Sequence, residues 1–211
     1  MIRRAIVLVV LLLLWLPANG RAQLRLGVSG ELNRASLGGV APEDARFESN
    51  YGTGFAGIVE DRGHPDVVLS FQPGWIQKGA KIVFGKDEEP DSVQTFNVVH
   101  SWVTLPVYFR IDSDGKGFYV GGGLSVDFLL ESELHHEGAT RDNRDVFEDV
   151  DFVYQFTLGY LRDSAGLSLF LEGRYMQGMS TIANANGSTG ADIYVSDFKS
   201  NGLRLVAGVL F

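Results

Sequence analysis

Apolar and polar residues alternate along most of this chain with a period of two, and helical spacing is nearly absent. The first strand candidate, Leu24 to Leu32, sets Leu24, Leu26, Val28, Gly30 and Leu32 against Arg25, Gly27, Ser29 and Glu31. Further candidates run from about Gly52 to Glu60, from Asp66 to Lys78 and from Gln94 to Ile111. In the last of these, Val103, Leu105, Val107, Phe109 and Ile111 oppose Trp102, Thr104, Pro106, Tyr108 and Arg110. Four more follow, at Gly117–Leu130, Asp151–Leu161, Leu167–Met176 and Gly202–Phe211, each with one apolar face. Glu172 and Arg174 oppose Leu167, Leu169, Leu171 and Tyr175, while Arg204 and Gly208 oppose Leu203, Leu205, Ala207, Val209 and Phe211. The pattern predicts eight strands.

The connections alternate in length. Asp61-Arg62-Gly63-His64-Pro65, Asp112 to Lys116 and Arg162 to Gly166 are short and polar, each with a glycine suited to a tight turn. The other connections, about 33–51, 79–93, 131–150 and 177–201, are long and hydrophilic. Short turns at one end and long loops at the other predict an all-β fold, a closed antiparallel eight-stranded up-and-down transmembrane β-barrel. Period two alone does not say which face is inside, because a soluble sheet alternates too. Strands of about ten residues can cross the hydrocarbon when tilted. Aromatics near strand ends (Phe118, Phe128, Tyr160, Tyr175, Phe211) suit interfacial girdles. Both observations favour lipid outside and polar side chains inside. An open edge in lipid would leave backbone groups unpaired, so the first and last strands are expected to pair.

The N-terminus sets the expected compartment. Arg3 and Arg4 precede an unbroken apolar run from Ala5 to Leu16, then Pro17 and the small residues Gly20 and Ala22. This is the pattern of a secretory signal peptide over residues 1–22, with residues 23–211 as the outer-membrane barrel. The run is too short to span a bilayer as a helix. With no cysteine in the chain, lipid acylation, a disulfide framework and thiolate metal sites are excluded. Without residues 1–22 the chain carries 15 basic and 26 acidic side chains, about −11, which argues against nucleic acid as a partner. Glycine and aromatic residues are frequent, as curved strands and interfacial side chains require.

The order of several motifs resembles a known family. Trp102-Val103-Thr104-Leu105-Pro106-Val107-Tyr108-Phe109-Arg110 looks like the proline-bearing strand of the PorT-like outer membrane β-barrel domain family. Gln72-Pro73-Gly74 with Gln77-Lys78-Gly79-Ala80 resembles the strand before it, and Gly117 to Gly123 the strand after it. Glu172 to Gly178 and the final Phe211 fit as well. The resemblance implies the fold and the outer membrane as location, and brings no catalytic residues. It also implies that Phe211 is read by the outer-membrane assembly machinery, a transient partner beside the outer-membrane lipid itself.

The predicted interior holds Arg25, Glu31, Arg110, Asp127, Glu172, Arg174 and Arg204. An eight-stranded lumen is only wide enough to be filled by side chains, so these charges are expected to pair in a luminal network; a narrow ion path is the functional alternative. His100 and Ser101 fall on opposite strand faces and cannot act together locally, so no catalytic group is expected. His135 and His136, beside Glu131, Glu133 and Glu137, read as part of a solvated acidic loop rather than a metal site, and no cofactor is expected. Segments Asp142 to Asp151 and Asn184 to Gly190 read as mobile extracellular tips able to carry recognition of an unknown ligand or protein. The expected function is a structural or interaction scaffold. A small channel or transporter, a lipid-modifying enzyme and a soluble lipocalin-like barrel are the alternatives.

Overall fold

The structure is a computed structural model that describes residues 24–38, 45–63, 66–85, 93–112, 117–164, 166–182 and 199–211. The expected signal peptide and the Asn184–Gly190 tip lie outside the described residues. Ten strands follow in order: β1 Leu24–Gly38, β2 Ala45–Asp61, β3 Val67–Phe71, β4 Gly74–Phe84, β5 Gln94–Asp112, β6 Gly117–His136, β7 Ala139–Asp142, β8 Val150–Ser164, β9 Leu167–Gly178 and β10 Lys199–Leu210.

All pairings are antiparallel. β1 pairs with both β2 and β10, β9 joins β10 to β8, and β6 joins β8 to β5. β3 and β4 both bridge β2 and β5, interrupted at Gln72-Pro73; they keep one register against β5, while β4 shifts by one residue against β2 between Ser49 and Gly54. Proline has no N–H to give the ladder. Here Pro73 instead accepts from Gly57 N–H at 3.0 Å, and Gln72 N–H reaches Pro106 O at 3.1 Å. Counting β3 and β4 as one, eight strands therefore surround the lumen and each is paired on both sides. β7 is extra, folded back on the end of β6 through Glu137 (φ 47°) and Gly138 (φ 81°). Two successive residues at positive φ are what a two-residue hairpin of this type requires.

The faces are set as lipid outside demands. Phe118 is 77% exposed and Leu32 61%, whereas Asp127 is fully buried and Lys78 is 4% exposed. Leu24, Leu26, Val107, Phe109, Leu124, Leu158, Leu169 and Leu205 share the outer belt. An apolar band of this extent would not remain exposed in water. With polar groups inside and apolar groups outside, the soluble lipocalin-like alternative is removed. Phe118 and Tyr160 meet edge to face at 5.0 Å near the short turns. At the opposite end the hydroxyls of Tyr154 and Tyr175 both donate to Gln177, at 2.7 and 2.9 Å.

The strands run further toward the long-loop end than the alternation predicts, and the reason is two register shifts. Between Ser49 and Gly54, β2 spends one residue more than β4. Between Glu131 and Leu129, β6 spends one more than β5. An extra residue turns every following side chain to the other face. Beyond these bulges the sequence still alternates in space, but out of phase with the alternation below. Within the expected loops, residues 33–38, 45–51, 79–84, 131–136 and 139–142 are strand.

A further difference concerns Asp142 to Asp151, expected as a mobile tip. A 3-10 turn, Arg144–Val146, and the residues after it fold inward and bury Val146 and Phe147. Both side chains join an apolar cluster with Leu37, Ile76, Ile82, Val98, Trp102, Leu129 and Ile182. The upper lumen is apolar, so these two residues gain more by covering it than by meeting water. Asn143 N–H to Ser132 O (3.1 Å), Leu129 N–H to Asp149 O (2.9 Å) and Glu148 N–H to Ile182 O (2.9 Å) pin the segment down.

Candidate functional site

The lumen is the site that the fold builds. Antiparallel neighbours on the same face sit directly opposite one another, so inward residues from distant parts of the chain are brought to one layer. Toward the short turns, Arg110 on β5 makes a two-pronged contact with Glu60 on β2, at 2.6 and 3.1 Å. Arg174 on β9 pairs with Glu172, while its Nη2 also donates to Gln72 Oε1 (2.8 Å) and its Nη1 to Tyr108 Oη (3.0 Å). Tyr119 Oη donates to Glu172 Oε1 at 2.6 Å, and Tyr108 Oη to Gln155 Oε1 at 2.5 Å. The guanidinium of Arg174 lies 4.5 Å from the Tyr108 ring centre and that of Arg110 lies 5.0 Å from Tyr119. Gly159 is the space that Tyr119 needs, since a Cβ there would lie 2.3 Å from its ring.

Higher in the lumen, Lys78 pairs with Asp127 and lies 3.9 Å from Asp151. Asp127 also accepts from Thr104 at 2.6 Å, and Asp151 from Ser200 at 2.6 Å and Ser180 at 3.1 Å. Arg204 lies 3.5 Å from Glu31 and donates to the sulfur of Met176 at 2.9 Å. Each buried cation thus faces a carboxylate, the condition under which buried charge is tolerable.

Of the residues singled out from the sequence, Glu31 and Arg204 meet each other, as do Glu172 and Arg174. Arg110 and Asp127 are paired with residues that the sequence reading did not single out, Glu60 and Lys78. Arg25 is apart from the rest: it binds Ser168 and lies 3.9 Å from Asp163, at the short-turn rim and still 21% exposed. Phe211 is outward and 58% exposed, its backbone paired with Leu26 at 2.8 and 3.2 Å. Glu60, Lys78 and Asp151 were within reach of the same parity argument, because each occupies an inward position of its strand. The partners themselves were not, lying 49 and 50 residues apart for Lys78–Asp127 and Glu60–Arg110.

Among the described residues the lumen is crowded with side chains. The cavity among Glu60, Tyr108, Arg110, Tyr119, Glu172 and Arg174 is about 10 Å³, and so is the one between Lys78, His100, Trp102 and Ile182. Each has room for one water. His100 is buried with its ring 4.3 Å from Phe147, while Ser101 is half-buried on the other face, so the two do not meet. His135 contacts Glu133 at 3.2 Å and Thr140 at 2.9 Å, and His136 stacks on Phe96 at 4.1 Å. Both belong to the β6–β7 hairpin rather than to an open loop.

Comparison with solved structures gives similar folds at low identity. Neisserial surface protein A is 12% identical with a TM-score of 0.45, covering 88% of this chain and 97% of that one. OprG from Pseudomonas aeruginosa is 9% identical with a TM-score of 0.49, covering 90% and 96%. The outer membrane protease OmpT from Escherichia coli is 10% identical with a TM-score of 0.42, covering 90% and 95%. Comparison with curated proteins finds no match. The outer membrane protein beta-barrel domain family matches residues 19–184. The chain belongs to the outer membrane protein beta-barrel domain family, and that family places it in the outer membrane.

Proposed function

We propose that this chain is a non-conducting outer-membrane scaffold: a rigid barrel whose role is carried by its outer wall and long-loop end. The observation that supports this most is the filled lumen, ion-paired below and sealed by the Val146–Phe147 cluster above. A conducting pore needs a continuous watery path, and the two cavities found among the described luminal residues are single-water voids. His100 and Ser101 point to opposite faces, so they do not form a nucleophile with its base. Planar bilayer recording from the purified full chain tests the reading. Silence is the expected result, and a reproducible unit conductance would replace the scaffold with the channel.

The proposal extends to two finer assignments. The ordered motifs from Gln72-Pro73-Gly74 to Phe211 support membership of the PorT-like branch. The outward ring of Phe211, on a backbone already paired with β1, supports its role as the signal for the assembly machinery. Recognition of an extracellular ligand or protein would fall to the long-loop end.

A further inference from the structure

The outer wall carries two depressions on either side of the Leu203–Leu205 ridge of β10. One is about 470 Å³, lined by Leu32, Arg34, Tyr51, Thr53, Leu203 and Leu205. The other is about 530 Å³, lined by Phe156, Leu158, Gly173, Tyr175 and Leu203. Both are open, shallow grooves, and their walls are the lipid-facing side of the barrel. The second depression exists because Gly173 is outward: no atom lies within 4 Å of where its Cβ would be. The first ends at Arg34, exposed and on the same outward row as Leu24, Leu26, Val28 and Leu32, with no ion-pair partner among the described residues. Lys199 is also exposed, outward and further toward the long loops on the adjacent strand. No carboxylate occupies an outward position of β1 or β10, where Glu31 alone is acidic and points inward to Arg204.

Long loops mark the extracellular side of such a barrel, so the two cations sit at the outer-leaflet boundary and the apolar depressions run below them. We infer that this face retains one specific lipid, an outer-leaflet lipid carrying phosphate and more than one acyl chain. Its acyl chains would lie on either side of Leu203, and one phosphate would meet Arg34. Lys199, four residues further toward the long loops, would meet a second anionic group of the same headgroup. Arginine suits this task because its planar fork binds phosphate oxygens in pairs. An anionic headgroup also supplies the counter-charge that the outward row lacks.

The test is native mass spectrometry of the full chain, extracted in non-ionic detergent and titrated with bisphosphorylated lipid A or with phosphatidylethanolamine. Wild-type protein is expected to hold one lipid A at concentrations where phosphatidylethanolamine leaves it bare. Arg34→Glu is expected to weaken retention about tenfold or more, the loss of one strong charge-assisted contact. Gly173→Leu fills the second depression and should weaken retention without touching any charge. Both positions are outward, and a heat-dependent gel shift verifies that each variant is a closed barrel. Should Arg34→Glu fail that check, Arg34→Gln carries the same comparison. Equal retention by wild type and variants, or equal binding of the two lipids, would overturn the inference and leave only bulk lipid on this wall.

Discussion

Lys78 shows how much depends on single luminal side chains. Its ammonium sits between Asp127 and Asp151, both buried, and 5.1 Å from the Trp102 ring. Lys78→Met keeps the bulk of the chain but removes the ammonium that both carboxylates face, leaving Asp127 with only the field of Arg204. Breaking a buried pair in this way costs about 3–5 kcal/mol. Urea unfolding in detergent micelles should show a loss of this size. Adding Asp127→Asn to Lys78→Met should recover part of it, because the unpaired charge rather than the missing contact carries the cost. A loss under about 1 kcal/mol would mean that water reaches the pair. Residues like Lys78 could be placed on the inner face from parity alone. Which carboxylate each would meet could not, since that depends on register between strands far apart in sequence.

At the level of elements, the segment between β7 and β8 departs most from what its composition suggests. Asp142 to Asp151 is rich in charge, and charge-rich stretches between strands normally stay in solvent. Two apolar residues, Val146 and Phe147, outweigh that tendency because the lumen below them is lined by Ile76, Ile82, Val98 and Trp102. Phe147→Asp would place a charge in this cluster and should release the segment. Trypsin is the measurement: cleavage after Arg141 or Arg144 should be slow in the wild-type barrel and fast in the variant. Equal rates would mean that backbone hydrogen bonds, not the two side chains, hold the cap. The bulges at Ser49 and Glu131 belong to this scale too. Each inverts the pattern above it, and so Phe47 and Leu134 join the inner cluster although the alternation below would send them outward.

For the whole molecule, closure is the decisive property. With β1 paired to β10, no edge is left in the ring, and the backbone of every spanning strand is satisfied from both sides. Membranes from cells expressing the chain should therefore yield a band that migrates differently before and after boiling. Deleting Phe211 should lower the unboiled, folded fraction. If the folded fraction is unchanged, Phe211 acts only as one more lipid-facing aromatic.

The sequence by itself determined the strand count of the ring, the order of short and long connections and which residues share a face. Period-two alternation is a local property, so each strand reveals its own two faces without help from its neighbours. Parity placed Arg25, Glu31, Arg110, Asp127, Glu172, Arg174 and Arg204 on one polar face, although Arg25 ends at the short-turn rim beside Asp163 and Ser168 rather than in the network. Alternation alone did not say which face is inside, since lipid and core give the same period. Strand length and the aromatics at strand ends favoured a polar interior, and the burial of Asp127, Lys78, Glu172 and Arg174 agrees with it. Only the tertiary structure chose Glu60 for Arg110, Lys78 for Asp127 and the Val146–Phe147 cap for the upper lumen. Those choices depend on shear, on bulges and on which strands become neighbours when the ring closes, and such long-range relations leave no trace in local spacing.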